Sequence, residues 1–119
     1  MLLHNPNLHI WLYPKPTDMR KQFDGLAALA KNKMSGQLDG QHLFVFINRK
    51  HTQIKVLYYS TGGLCLWTKR LEQGQFQRLQ PTHIDDQKVQ LTWSNLQYLI
   101  DGINWLKAPQ RKRFKAIEC

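Results

Sequence analysis

The sequence predicts a single α+β domain in which an antiparallel β-meander is packed by two amphipathic helices. Three apolar runs of strand length follow one another in the middle of the chain, with only short polar turns between them. Two other segments repeat apolar residues at helical spacing. A doubly wound parallel sheet needs helices between its strands, which the predicted order lacks. The 119 residues, of which 42% are hydrophobic, are enough for one domain with its own core.

A short strand and a helix are predicted first. Residues 8–13 alternate loosely between apolar and polar side chains until Pro14 and Pro16 end the run, which is typical of a strand that enters a turn. Thr17 is the expected N-cap of the following helix, with Asp18 at the positive end of the helix dipole. The apolar face of this helix consists of Phe23, Leu26, Ala27, Ala30 and Met34.

The meander is predicted over residues 43–71. Residues 43–47 and 54–59 have strand composition, and the polar residues 48–53 between them indicate a hairpin with a basic tip. Residues 60–63, Ser-Thr-Gly-Gly, predict another turn. Residues 64–71 then form a third strand, which ends before Gly74.

A short strand, a second helix and a basic tail complete the prediction. Residues 88–91 have strand character, and Thr92 or Ser94 is a suitable cap for the helix that follows. The stripe of this helix consists of Leu96, Leu99, Ile100 and Ile103. Residues 107–119 are basic and lack periodicity, so we expect residues 1–106 to form the domain and the remainder a flexible arm.

The charge balance points to a polyanionic partner. Lysine and arginine outnumber aspartate and glutamate by 17 to 8, giving a formal net charge of +9, and nucleic acid is the leading candidate. The first residues lack the pattern of a signal peptide, and no run approaches the ~18 apolar residues of a membrane span. We therefore expect a cytoplasmic protein without a membrane partner, in which Cys65 and Cys119 form no disulfide.

Residues suited to catalysis are sparse. A two-metal nuclease needs several converging carboxylates, whereas the acidic residues here are few and scattered along the chain. The histidines and cysteines lack zinc-ligand spacing. The sequence therefore predicts a protein that is not an enzyme and has no metal, no cofactor and no small-molecule substrate. A nuclease that acts through Asp18 or Asp24 is a much weaker alternative.

Basic side chains are the main candidates for a binding surface, because each neutralised phosphate releases counterions and adds salt-sensitive affinity. Several aromatic residues could stack on bases, although such residues are more often part of the core. These aromatic residues are Trp11, Tyr58, Tyr59, Trp67, Trp93 and Trp105. The basic candidates are Arg49, Lys50, Lys55, Lys69, Arg70, Lys107, Arg111, Lys112 and Arg113.

Several segments together resemble a known family. Residues 17–20, Thr-Asp-Met-Arg, followed by residues 23–29, resemble the opening signature of the small accessory protein encoded by the second reading frame of insertion sequence 66 elements, often called TnpB. Residues 43–59 resemble the family's central hairpin, and residues 63–76 the segment after it. The similarity covers residues 8–106 in collinear order. One departure is Ser60, where the family usually has Asp after an aromatic pair.

The resemblance implies a role in transposition beside a separate, larger transposase that carries the catalytic carboxylates. It also adds Arg20 to the candidate binding residues. We therefore expect a non-catalytic accessory protein that binds DNA, either element ends or target, and assists the transposase. The alternative is an interaction module that docks the transposase or another element-encoded protein without contacting DNA.

Overall fold

The computed structural model describes residues 7–78 and 87–101. Ile103, Trp105 and the basic tail, with Lys107, Arg111, Lys112 and Arg113, lie outside these residues. The described elements, in chain order, are β1 (His9–Leu12), α1 (Phe23–Asn32), β2 (His42–Ile47), β3 (Gln53–Ser60), β4 (Gly63–Arg70), β5 (Val89–Leu91) and α2 (Trp93–Asp101).

The strands form one sheet in the order β4-β3-β2-β1-β5. Strands β2, β3 and β4 pair antiparallel with their chain neighbours, and β5 pairs antiparallel with β1. The α+β prediction is confirmed. Strands β2, β3 and β4 lie antiparallel in chain order, but the sheet as a whole is mixed, because β1 pairs parallel with β2. The chain returns through α1 between these two strands, so both run in the same direction.

The core has two layers, one on each face of the sheet. Helix α1 packs on one face and α2 on the other, and β2, in the centre, contributes alternate side chains to both. This position explains the uninterrupted apolar run of β2, because a strand covered on both faces has no solvent-facing side. The α1 layer consists of Leu26, Ala30, Met34, Phe44, Phe46 and Leu57. The α2 layer consists of Ile10, Leu12, Leu43, Val45, Ile47, Ile54, Val56, Phe76, Leu96, Leu99 and Ile100.

The predicted cap of α1 is wrong. Helix α1 begins at Phe23, with Gln22 at its N-cap position, whereas Thr17 is buried and its N–H donates to the Ile47 carbonyl at 2.9 Å. The chain after β1 therefore continues alongside β2 before it turns into the helix. At α2 the prediction is confirmed for Thr92, whose Oγ1 accepts the N–H of Asn95 at 3.0 Å.

Lys55 connects β3 to the loop that precedes α1. Its side chain is only 3% exposed, and its Nζ donates to the carbonyl oxygens of Met19 at 2.8 Å and Lys21 at 2.9 Å. A buried ammonium is tolerated only where such acceptors replace water. Lys55 therefore holds this loop against the sheet.

Replacing Lys55 by Met should lower the free energy of unfolding by about 1–3 kcal/mol, because two carbonyl oxygens lose a charged donor while the aliphatic stem is kept. Chemical denaturation measures the change. The exposed Lys33 provides the control, and its replacement by Met should have little effect. Equal stability of the Lys55 variant and the wild-type protein would contradict the anchoring role.

Close packing requires a glycine at position 36, beside the core. Gly36 lies beside the end of α1, where its N–H donates to the Ala30 carbonyl at 2.8 Å, and an added methyl group would overlap the ring of Phe44. We expect Gly36→Ala to cost about 1–3 kcal/mol of stability through overpacking. Gly63→Ala should be nearly neutral, since no described atom lies within 4 Å of the added carbon. Thermal unfolding of the two variants tests this difference.

Candidate nucleic-acid interface

The strand register brings several basic segments to one end of the sheet. The carboxyl ends of β1 and β2 meet there because the two strands are parallel, and β3 begins where β4 ends, with Gln53 opposite Arg70. We call this the basic end and define it as residues 13–21, 48–53 and 70–78. Its exposed cationic side chains are Lys15, Arg20, Lys21, Arg49, Lys50, Arg70 and Arg78.

Asn48 holds the hairpin tip in a fixed shape. Its Oδ1 accepts the N–H groups of Thr52 at 2.9 Å and Gln53 at 3.1 Å, and its Nδ2 donates to Thr52 Oγ1 at 3.1 Å. His51 adopts a left-handed conformation with φ of 58°. The segment after β4 packs under this tip, because the Phe76 N–H donates to the His51 carbonyl at 2.7 Å. The arrangement leaves Arg49 and Lys50 exposed on an ordered loop.

Two of the predicted basic residues lie close to carboxylates at the surface. The Arg20 guanidinium contacts Asp18 at 2.7 Å, and Arg70 Nε lies 3.9 Å from Glu72. The side-chain hydrogen bond from Arg20, followed by its backbone N–H, lowers the pKa of Asp18 to about 2. The Arg20 side chain is nevertheless 91% exposed and that of Arg70 73%. Such exposed pairs are weak, so both guanidinium groups remain able to contact a polyanion.

Two other predicted residues serve the fold. Lys55 is buried against the loop that precedes α1, where its Nζ donates to two backbone carbonyls, which corrects its assignment to the binding surface. Lys69 is half-buried, and its Nζ donates to the Ile100 carbonyl at 2.7 Å in the last turn of α2, where a cation is favourable for the helix dipole. Their predicted positions on strands did not show whether these two lysine side chains are buried or exposed.

Lys15 and Arg78 belong to the basic end although sequence reasoning missed them. Together with His51 they line a cavity of about 230 Å³, whose walls are mainly apolar. Lys15 lies between the two prolines that follow β1. Because proline restricts the backbone, these two residues were the one feature of the sequence that indicated an ordered loop here. The other lining residues are Leu12, Tyr13, Pro14, Pro16, Ile47 and Gln77.

The aromatic candidates mostly pack against the core. Tyr58, Trp67 and Trp93 contact the α2 layer, and Trp11 contacts the α1 layer, with Lys88 Nζ 4.1 Å from the centre of its ring. Tyr59 is more exposed and lies near the β3–β4 turn at the opposite end of the sheet, beside Ser60. These aromatic candidates therefore form no continuous stacking surface with the exposed basic residues.

Within residues 7–78 and 87–101, no group of three or more histidine, cysteine or acidic side chains is placed to hold a metal ion. None of the helices in this part of the chain combines the length and apolar character needed to cross a bilayer.

Comparison with known proteins identifies the family of this chain. The model for the family described as IS66 Orf2 like protein matches residues 8–110. The chain is similar to two proteins of Sinorhizobium fredii, both named as uncharacterized: y4hO, 35% identical over 88% of this chain and 89% of the relative, and y4jC, 25% identical over 87% and 86%. No solved structure matches the chain. The chain therefore belongs to the IS66 Orf2-like family of transposition-associated accessory proteins.

Proposed function

We propose that this accessory protein binds DNA through the basic end of its sheet and thereby assists a separate transposase. The observation that carries the proposal is the convergence of exposed lysine and arginine residues from the β1–α1 loop, the hairpin tip and the segment after β4. Phosphate contacts supply most of the affinity in such interfaces and need no deep groove.

The electrostatics of the basic end favour a polyanion. Arg49, Lys50, Lys15 and Arg78 belong to loops whose backbones are fixed by strand pairing or by hydrogen bonds to neighbouring loops. Because the backbone of these loops is already ordered, binding has to order only their side chains, so more of the electrostatic attraction is kept as affinity. The carboxylates nearby, Asp18 and Glu72, each lie beside an arginine.

A docking module for the transposase is the second candidate, favoured by exposed aromatic side chains. Phe23 on α1 is 44% exposed and Tyr98 on α2 is 47% exposed. Aromatic residues are enriched in protein interfaces. The two helices cover opposite faces of the sheet, however, so these side chains do not form one patch. The basic end instead brings exposed cationic residues from three segments together, and DNA binding is therefore the primary proposal.

The double variant Arg49→Gln, Lys50→Gln should bind duplex DNA more weakly. If each side chain neutralises one phosphate, the slope of log K against log salt concentration should fall by about 2. Fluorescence anisotropy of a labelled duplex at several salt concentrations measures this slope.

The matched control is Lys31→Gln, Lys33→Gln, which removes the same charge from exposed positions in and just after the last turn of α1. Its salt slope should remain close to the wild-type value. A wild-type slope near zero, or equal losses in the two double variants, would contradict binding through the basic end.

Co-purification with the transposase separates the two candidates. If DNA bridges the two proteins, nuclease treatment should release the transposase from this chain. Full retention after nuclease treatment, with the same yield for the Arg49, Lys50 variant, would instead support direct docking.

A further inference from the structure

The cavity at the basic end has the form of a site for a single planar group. It lies at the carboxyl ends of the parallel strands β1 and β2, a position at which loops of α/β sheets commonly bind ligands. Its volume of about 230 Å³ is below the ~300–1,000 Å³ of sites for drug-sized ligands. One base or one nucleoside is therefore a closer match than an extended molecule.

The walls of the cavity suit the faces of a base. Pro14 and Pro16 come from the loop after β1, and Leu12 and Ile47 contribute aliphatic side chains. Tyr13 borders the cavity, although its ring packs against Phe46 in the α1 layer. Enzymes that take a base out of the DNA stack hold it between aromatic and apolar side chains of this kind. An acidic peptide side chain would gain little from such walls, because its carboxylate needs donors on all sides.

Polar atoms in and beside the cavity suit the edge of a base. Among the described residues, His51 Nδ1 and Thr17 Oγ1 are buried without a hydrogen-bond partner. His51 lines the cavity, and Thr17 follows Pro16 and bonds through its N–H to Ile47, both of which line it. Buried polar groups are rarely left unpaired, and of the two only His51 belongs to a residue that lines the cavity. Its Nδ1 is closed to solvent, so a rotation of the ring is needed for this atom to bond to a ligand.

His51 is suited to either hydrogen-bonding role. Burial, followed by the positive charge of Arg78, lowers the pKa of His51, while hydrogen bonds between its ring and the backbone of Phe76 and Gln77 act in the opposite direction. The ring is therefore neutral at physiological pH, and one nitrogen can accept while the other donates. Lys15 and Arg78 line the same cavity and provide the charge that a phosphate attached to the base requires.

We propose that this cavity binds one unpaired nucleotide, with the base against the apolar wall formed by Leu12, Ile47 and the two prolines and the phosphate between Lys15 and Arg78. The inference rests on the proposed DNA binding and adds a preference for unpaired over fully paired DNA. Bases within a duplex cannot enter such a cavity unless they leave the stack. The bound nucleotide is either part of a DNA strand or a free mononucleotide, and both present the same base and phosphate to the cavity.

The test compares three probes by 2-aminopurine fluorescence and anisotropy: a perfect duplex, the same duplex with one unpaired 2-aminopurine, and free 2-aminopurine deoxynucleotide. The wild-type protein should bind the unpaired site about tenfold more tightly than the perfect duplex, a gain typical of one stacked base. Equal affinity for both duplexes would overturn the proposal and leave the proposed DNA binding intact.

Three variants assign the preference to the cavity. Gln77→Trp places a bulky side chain at its exposed rim, and His51→Asn removes the ring while tolerating the left-handed backbone. Both should lose the preference for the unpaired site, measured within each variant as the ratio of its affinity for the unpaired-site duplex to its affinity for the perfect duplex. Gln37→Trp, at an exposed position in the loop after α1, is the control and should keep the preference. Circular dichroism checks that each variant is folded.

These measurements distinguish a nucleotide within a DNA strand from a free mononucleotide. They also separate failure of the cavity proposal from failure of the proposed DNA binding. Saturable binding of the free mononucleotide without any duplex binding, abolished by Gln77→Trp, would support the cavity as a mononucleotide site and contradict the proposed DNA binding. Retention of the unpaired-site preference in both Gln77→Trp and His51→Asn would show that another surface reads the unpaired base, and would overturn the assignment.

Discussion

The central strand β2 is buried on both faces, and the remaining structure follows from this constraint. Its five residues from Leu43 to Ile47 supply side chains to two core layers, so each face requires its own helix. Helix α1 covers one face by returning the chain from the end of β1 to the start of β2, which makes these strands parallel. Their carboxyl ends then coincide, and the loops after them meet the hairpin tip and the segment after β4. The basic end and its cavity are consequences of this topology.

The same topology shows which features the sequence could predict. Strand positions were predictable because runs such as residues 43–47 are apolar without interruption, and the cap at Thr92 was predictable because capping is local. The parallel pairing of β1 with β2 was not predictable from composition. It depends on which strands become neighbours, and that choice is made by packing α1 against the sheet. Thr17 was misassigned for a related reason, since its N–H found a partner in β2 that lies far away in sequence.

The basic residues divide in a way that charge counting could not reveal. Lys55 and Lys69 lie on strands. The ammonium group of Lys55 donates to two backbone carbonyls and that of Lys69 to one, so both side chains stabilise the fold. Arg49 and Lys50 lie in a tip whose backbone is held by Asn48, which leaves their side chains exposed. Lys15 and Arg78 are far apart in the chain and meet only at the cavity. Whether a basic residue belongs to the binding surface therefore depends on the shape of its loop and on whether its side chain can reach a backbone carbonyl. The number of charges nearby in the sequence does not decide it.

NMR mapping of backbone amides during titration with a short DNA duplex would locate the binding surface. Binding through the basic end should give the largest chemical-shift changes in residues 13–21, 48–53 and 70–78, and these changes should shrink as the salt concentration is raised. Changes concentrated instead at the opposite end of the sheet, around residues 36–42 and 59–64, or the absence of any change at low salt, would contradict it.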